Sequence, residues 1–363
     1  MKVNLIKIKH FNYININQNT KINNDNLDEI TYKPYKEIIF DNILDNYYLN
    51  LLDWSFQNIV AIANDDILYM HNASNEDNLE KEILFKYEQN NNIIINSKNY
   101  ISSLIFSECG DTLAIGNSYG QLELYDINTK QKIISFKGHS DRIGAISWNG
   151  NIISTGSKDC FIITRDIRCK NSDENIINKF IGHNREICGL KWSFDGSKLA
   201  SGGNDNKLII WNLHSNKPLM VNNDHSSAVK AIAWSPLNQN ILATGGGIDD
   251  CSLRLWNMNN FENILSVDTG AQVCNLIFSK SSDEMISTHG YSLNHIILWK
   301  LPNMEISTTL SGHDSKVLYL GLSPDGKSIV TGSGDNKIKF WKVFPKYKKN
   351  NKGLLSEFNM NFR

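Results

Sequence analysis

Residues 182–212, GHNREICGLKWSFDGSKLASGGNDNKLIIWN, hold His183, Ser201 and Asp205 in one short stretch. A hydroxyl to attack, an imidazole to take its proton and a carboxylate to orient the imidazole are the parts of nucleophilic catalysis. Such a centre occurs once in a chain, and this set does not. The same residue types return as His139, Thr155 and Asp159, as His225, Thr244 and Asp250, and as His313, Thr331 and Asp335. Each Asp stands six residues before position 165, 211, 256 or 341, three of which are Trp. A constellation present four times, with Ser and Thr interchanged, is expected to brace the fold. A loop His beside a turn Asp carries buried polar groups that must be paired. A strand hydroxyl and an indole N–H such as that of Trp211 complete the pairing. No catalytic residue is expected.

The elements that position these residues are repeats. Copies begin at Gly138, His225 and Gly312, and weaker copies fill the rest. The closing dipeptides are Met70-His71, Tyr125-Asp126, Arg165-Asp166, Trp211-Asn212, Trp256-Asn257, Trp299-Lys300 and Trp341-Lys342, spaced by 55, 40, 46, 45, 43 and 42 residues. Within each repeat, short alternating runs such as ICGLKWS and KLIIWN are separated by Asp-Gly, Gly-Gly or Asn-rich turns, which is strand chemistry. A period of this length with GH near its start and a WD-like end is that of an all-β, seven-bladed WD40 β-propeller. The ring must close or leave open sheet edges, and Lys36–Phe40 (KEIIF) is expected to supply the fourth strand of the last blade. The expected organisation is an Asn-rich mobile arm over 1–32, the propeller over 33–345 and a tail over 346–363. Blades ending at Tyr125 and Trp299 carry Tyr119 and Leu293 in place of the bracing Asp, so packing is expected to hold them.

Bulk properties narrow the function. The 363 residues are 41% hydrophobic with a formal net charge of −1, so no overall field draws nucleic acid or an anionic membrane. Cys109, Cys160, Cys169, Cys188, Cys251 and Cys274 form no C-x-x-C pair and read as reduced, mostly buried thiols. The start, MKVNLIKIKHFNYININ, offers no secretory core or membrane span, so nucleus and cytoplasm are the expected locations. Gly245, Gly246 and Gly247 lead into no helix, which argues against a phosphate loop. His10, His71, His214, His289 and His295 lack metal-ligand spacing. Neither metal nor cofactor is expected.

Several segments are more particular. YYLNLLDWSFQNIVAIA from Tyr47, GHSDRIGAISWNG from Gly138, AVKAIAWSPLNQNILATGGG from Ala228 and VDTGAQVCNLIFSKSSDEMISTHGYSLN from Val267 resemble the Fizzy family. So do the stretches from Gly182 and Gly312, and the likeness runs from about Lys33 to Phe344. The resemblance implies a substrate-recruiting activator of the anaphase-promoting complex, a ubiquitin ligase acting on cell-cycle proteins. Its implied partners are the ligase subunits, degron-bearing substrates such as mitotic cyclins or securin-like proteins, and spindle-checkpoint proteins.

The resemblance also implies sites. A destruction box (Arg-x-x-Leu) would lie at the side between the first and last blades. There Asp53, with Leu52 and Trp54 beside it, matches the acidic position, and Asn336 stands where a second acid is usual. A KEN-type signal would lie on the top face, where Tyr100, Asn204 and Asn206 match, while Ile248, Leu293 and Lys316 replace a Thr, a Gln and an Arg. Phe362-Arg363 stands where the family ends in Ile-Arg to dock on the ligase, and no Asp-Arg-Phe/Tyr-Ile-Pro box precedes Lys33. The alternative is a WD40 scaffold that assembles partners without activating a ligase.

Overall fold

The computed structural model describes residues 5–7, 33–75, 77, 79–87, 98–169 and 175–344. Seven sheets follow the seven repeats. Each blade is antiparallel, and the chain runs outward from its first strand, as in Ile187–Trp192, Lys198–Gly203, Leu208–Asn212 and Ser215–Asn222 of blade 4. Burial follows that order. The first strand of blade 5, Val229–Trp234, is buried throughout, whereas the outermost strand of blade 4 is largely exposed. Trp211, Trp256, Trp299 and Trp341 are fully enclosed between blades.

The ring closes as the edge argument requires. Lys36–Ile39 pairs antiparallel with Lys337–Lys342, Lys36 opposite Phe340 and Ile38 opposite Ile338. Phe40 continues the clasp through its N–H to the Asn336 carbonyl (2.8 Å). Leu5–Lys7, within the segment read as an arm, pairs in parallel with Glu262–Asp268 and widens blade 5 to five strands. Residues 8–32 and the tail, with Phe362 and Arg363, lie outside the described residues.

Six inner strands share an irregularity invisible in the repeat pattern. Their register slips between Ile101 and Ser103, Ile143 and Ala145, Ile187 and Gly189, Val229 and Ala231, Val273 and Asn275, and Val317 and Tyr319. A bulge leaves one residue out of the ladder and turns it away from its partner strand. Those residues are Ser102, Gly144, Cys188, Lys230, Cys274 and Leu318. In blade 1, whose first strand is only Leu52–Trp54, the preceding segment crosses the channel instead. Asn50 Nδ2 donates to the carbonyls of Gly144 (2.7 Å) and Cys188 (3.3 Å), and the Tyr47 hydroxyl reaches those of Ala228 and Val273 (both 3.3 Å). Residues 47–51 thus plug one end of the central channel. A side chain at Gly144 would press on the carbonyls of Ile187 (3.0 Å) and Tyr48 (3.2 Å), so this blade's approach to the plug favours glycine.

Candidate functional site

The Ser-His-Asp sets are braces. His183 bonds Asp205 through Nδ1 (2.9 Å) and Ser201 through Nε2 (2.8 Å), and Ser201 Oγ also accepts the Trp211 indole N–H (2.8 Å). His139, with Asp159 and Thr155, repeats the pairing, as does His313 with Asp335 and Thr331. His225 does so with Asp250 and Thr244. Every hydroxyl is buried against its own blade and presents no face to a substrate. Burial works to raise the Asp335 carboxyl, but His313 and the N–H groups of Asp314 and Lys337 outweigh it and hold it at about 2.

The two blades expected to rely on packing are braced as well, by other residues. In blade 6, Ser287 accepts the Trp299 indole N–H and meets His289 Nε2, both at 2.7 Å. In blade 2, buried Glu123 accepts the hydroxyls of Tyr87 (2.8 Å) and Tyr125 (3.1 Å) and pairs with Lys132 (2.7 Å). A buried Trp or Tyr donor needs an acceptor whichever residue supplies it. The thiols also differ from expectation. Only Cys188 and Cys274 are buried, because Cys109, Cys160, Cys169 and Cys251 lie in turns.

The turns between second and third strands form one face. Asn204 and Asn206 stand in the turn before Leu208–Asn212, Asn206 with φ +65°, which asparagine tolerates. The Tyr48 hydroxyl donates to Asn204 Oδ1 (3.2 Å), leaving the amide NH2 to donate outward. Asn206 Nδ2 donates to the Ser226 carbonyl (3.0 Å), leaving its oxygen to accept. Beside them Arg142 grips Glu186 with two bonds of 2.7 Å and donates to the Tyr100 hydroxyl (3.3 Å). Tyr100, Arg142, Glu186, Asn204 and Tyr48 are therefore one cluster. Lys316 stands apart, 3.5 Å from Asp45 and 4.9 Å from the centre of the Tyr291 ring. Ile248 is exposed on this face.

The seam between blades 7 and 1 departs further from expectation. Leu52 and Trp54 are buried there, Trp54 edge-on to Phe340 at 5.4 Å. A Cβ at Gly321 would meet Leu52 and the Trp54 backbone, so these two are core of the seam. Asp53 between them turns the other way. Its carboxylate accepts the Phe106 N–H (2.8 Å) in blade 2 and lines the central cavity, and burial raises its pKa. Asn336 sits in a second-to-third turn, while Asp53 lies next to a first-to-second turn. Those turns are at opposite ends of a blade, so the structure does not bring the two together. Asn336 Oδ1 instead accepts the Ile43 N–H (2.8 Å) and fixes the segment after the clasp. That segment holds two acids, Asp45, which pairs with Lys316 (3.5 Å), and Asp41, exposed, its carbonyl held by the Asn64 side chain.

The CDC20/Fizzy WD40 domain matches residues 40–341. The chain belongs to the CDC20/Fizzy family. It is 42% identical over 323 residues to Protein FIZZY-RELATED 2 of Arabidopsis thaliana, covering 89% of this chain and 64% of that protein. It is 40% identical over 352 residues to the anaphase-promoting complex subunit cdh1 of Dictyostelium discoideum, covering 88% and 45%. A chain of a structure titled Crystal Structure of Mitotic Checkpoint Complex matches with a TM-score of 0.80 at 37% identity, covering 90% of this chain and all of that one. The chain spans less than two-thirds of the length of these curated relatives.

In this Fizzy-family propeller, sequence reasoning missed Asp41, Tyr48, Arg142 and Glu186. Arg142 and Glu186 each lie at the entry to an inner strand, one blade apart, a spacing the repeat register could have exposed. Asp41 had a weaker signal, its position directly after the clasp strand.

Proposed function

We propose that this chain is a substrate receptor of the anaphase-promoting complex, holding destruction-box and KEN-type signals of cell-cycle proteins and presenting them for ubiquitination. The observation that carries it is the top-face pair of amides, Asn204 presenting a donor and Asn206 an acceptor, inside a propeller of the CDC20/Fizzy family. Such a pair suits a peptide that carries its own amide and both charges. The exposed Ile248 favours an apolar residue beside that signal. The Arg of a destruction box would pair with Asp41, since Asp53 is engaged by Phe106 and Asp45 by Lys316.

The test is equilibrium binding of a destruction-box peptide and of its Arg→Ala version to the purified chain. The intact peptide should bind more tightly. Asp41→Ala should weaken it by about 1 kcal/mol, the scale of an accessible ion pair, and Asp53→Ala should leave it unchanged while lowering the melting temperature. Equal affinity for both peptides would sink the receptor reading. A loss on Asp53→Ala alone would return the Arg to that residue.

A further inference from the structure

Below the plug the central channel is a blind cavity of about 490 Å³, within the range of small-molecule sites. Its walls carry Trp148, Trp192 and Trp234, and its mouth opens among the first-to-second turns, where Phe194 and Pro236 stand. That end is opposite the turns that carry Asn204 and Asn206. Lys230 lines the closed end. It occupies the bulge position that the other five inner strands fill with Ser102, Gly144, Cys188, Cys274 and Leu318. Repetition identified the His-Asp sets as bracing, and by the same reasoning this lysine is not a part of the repeat.

Its surroundings suit an absent partner. The Lys230 ammonium donates to the carbonyls of Leu49 (2.8 Å) and Leu318 (3.4 Å), which leaves one of its three N–H bonds without an acceptor. The rings of Tyr47 and Tyr319 lie 5.5 and 5.4 Å from it. Among the described residues no carboxylate pairs with it. An enclosed cation without a counter-charge is costly, and an anion delivered from outside would relieve that cost.

We propose that the channel binds a small organic anion, a carboxylate on an aryl or alkyl body, with its head on Lys230 and its body against the inner-strand walls next to it, where Leu190, Ile232 and Leu276 line the cavity. Apolar side chains of the lining take the body; Asp53, Glu108 and Lys191 also line the channel but lie toward its open end, and the buried charge at the closed end selects the head. Burial lowers the Lys230 pKa to about 8, so the ammonium is still charged at neutral pH.

The probes are 2-naphthoate and neutral 2-naphthamide, titrated calorimetrically into the full chain. Naphthoate should bind about tenfold or more tightly than the amide, the scale of a charge-assisted bond in an enclosed site. Lys230→Met should erase that preference while the protein stays folded. A second measurement needs no variant. At pH 8.5 naphthoate binding should take up protons as the lysine recharges, seen as heat that depends on the buffer. Equal affinity for the two probes, no naphthoate binding at millimolar concentration, unchanged preference in Lys230→Met, or no proton uptake would each overturn the proposal.

Discussion

Ser201 touches both His183 and the Trp211 indole, and that double contact decides what its hydroxyl does. Ser201→Ala leaves two buried partners unsatisfied and should cost about 1–3 kcal/mol, read as a lower melting temperature. Ser201→Thr, the residue type of Thr155, Thr244 and Thr331, should restore most of it. A melting temperature unmoved by the alanine would contradict the bracing role. These four sets were legible in the sequence because they share a register. The brace on Glu123 was not, since its partners Tyr87 and Lys132 come from outside the repeat signature. Ser287 could have been found, because it keeps a hydroxyl twelve residues before Trp299, the spacing of Thr244 and Trp256, even though the Asp is gone. Asp53 faces the channel for a physical reason. Alternate residues of a strand face opposite ways, so flanking residues buried in the seam send the acid between them into the channel.

At the scale of elements, the clasp was legible from one requirement, that a ring leave no open edge. The plug was not. YYLNLL reads as strand, yet only Leu52–Trp54 pairs as one, and Tyr47 and Asn50 use their side chains to bond carbonyls that the bulges expose. Bulges leave no period to read. Asn50→Ala should free the carbonyls of Gly144 and Cys188 and cost about 1–3 kcal/mol. Hydrogen exchange should rise over residues 47–51 and leave the clasp at Lys36–Ile39 unaltered. Exchange rising equally in both would mean that the plug and the clasp open as one unit.

Over the whole molecule, acid should act in two windows. His289 is held well below the ordinary imidazole range by burial and by neighbouring His295, and burial brings His295 to about 4. The unfolded chain takes these protons near pH 6.5 and the folded one refuses them, so stability present above 6.5 is lost as pH falls toward 4. The bracing carboxylates are displaced the same way for a different reason. Burial opposes the charge on Asp159, Asp205, Asp250 and Asp335, but the His partners prevail. Their contribution is full above about 3.8 and is lost as pH falls below it, for Asp335 toward about 2. Melting temperature should therefore fall between pH 7 and 5, and again below 4. Replacing His289 and His295 together by Gln should reduce the first decline, by about 1–3 kcal/mol at pH 5, leave the share of His71 and His225, which burial also lowers, and leave the second in place. A wild-type curve level from pH 7 to 5 would show that the blade 6 histidines take up their protons without opening the fold.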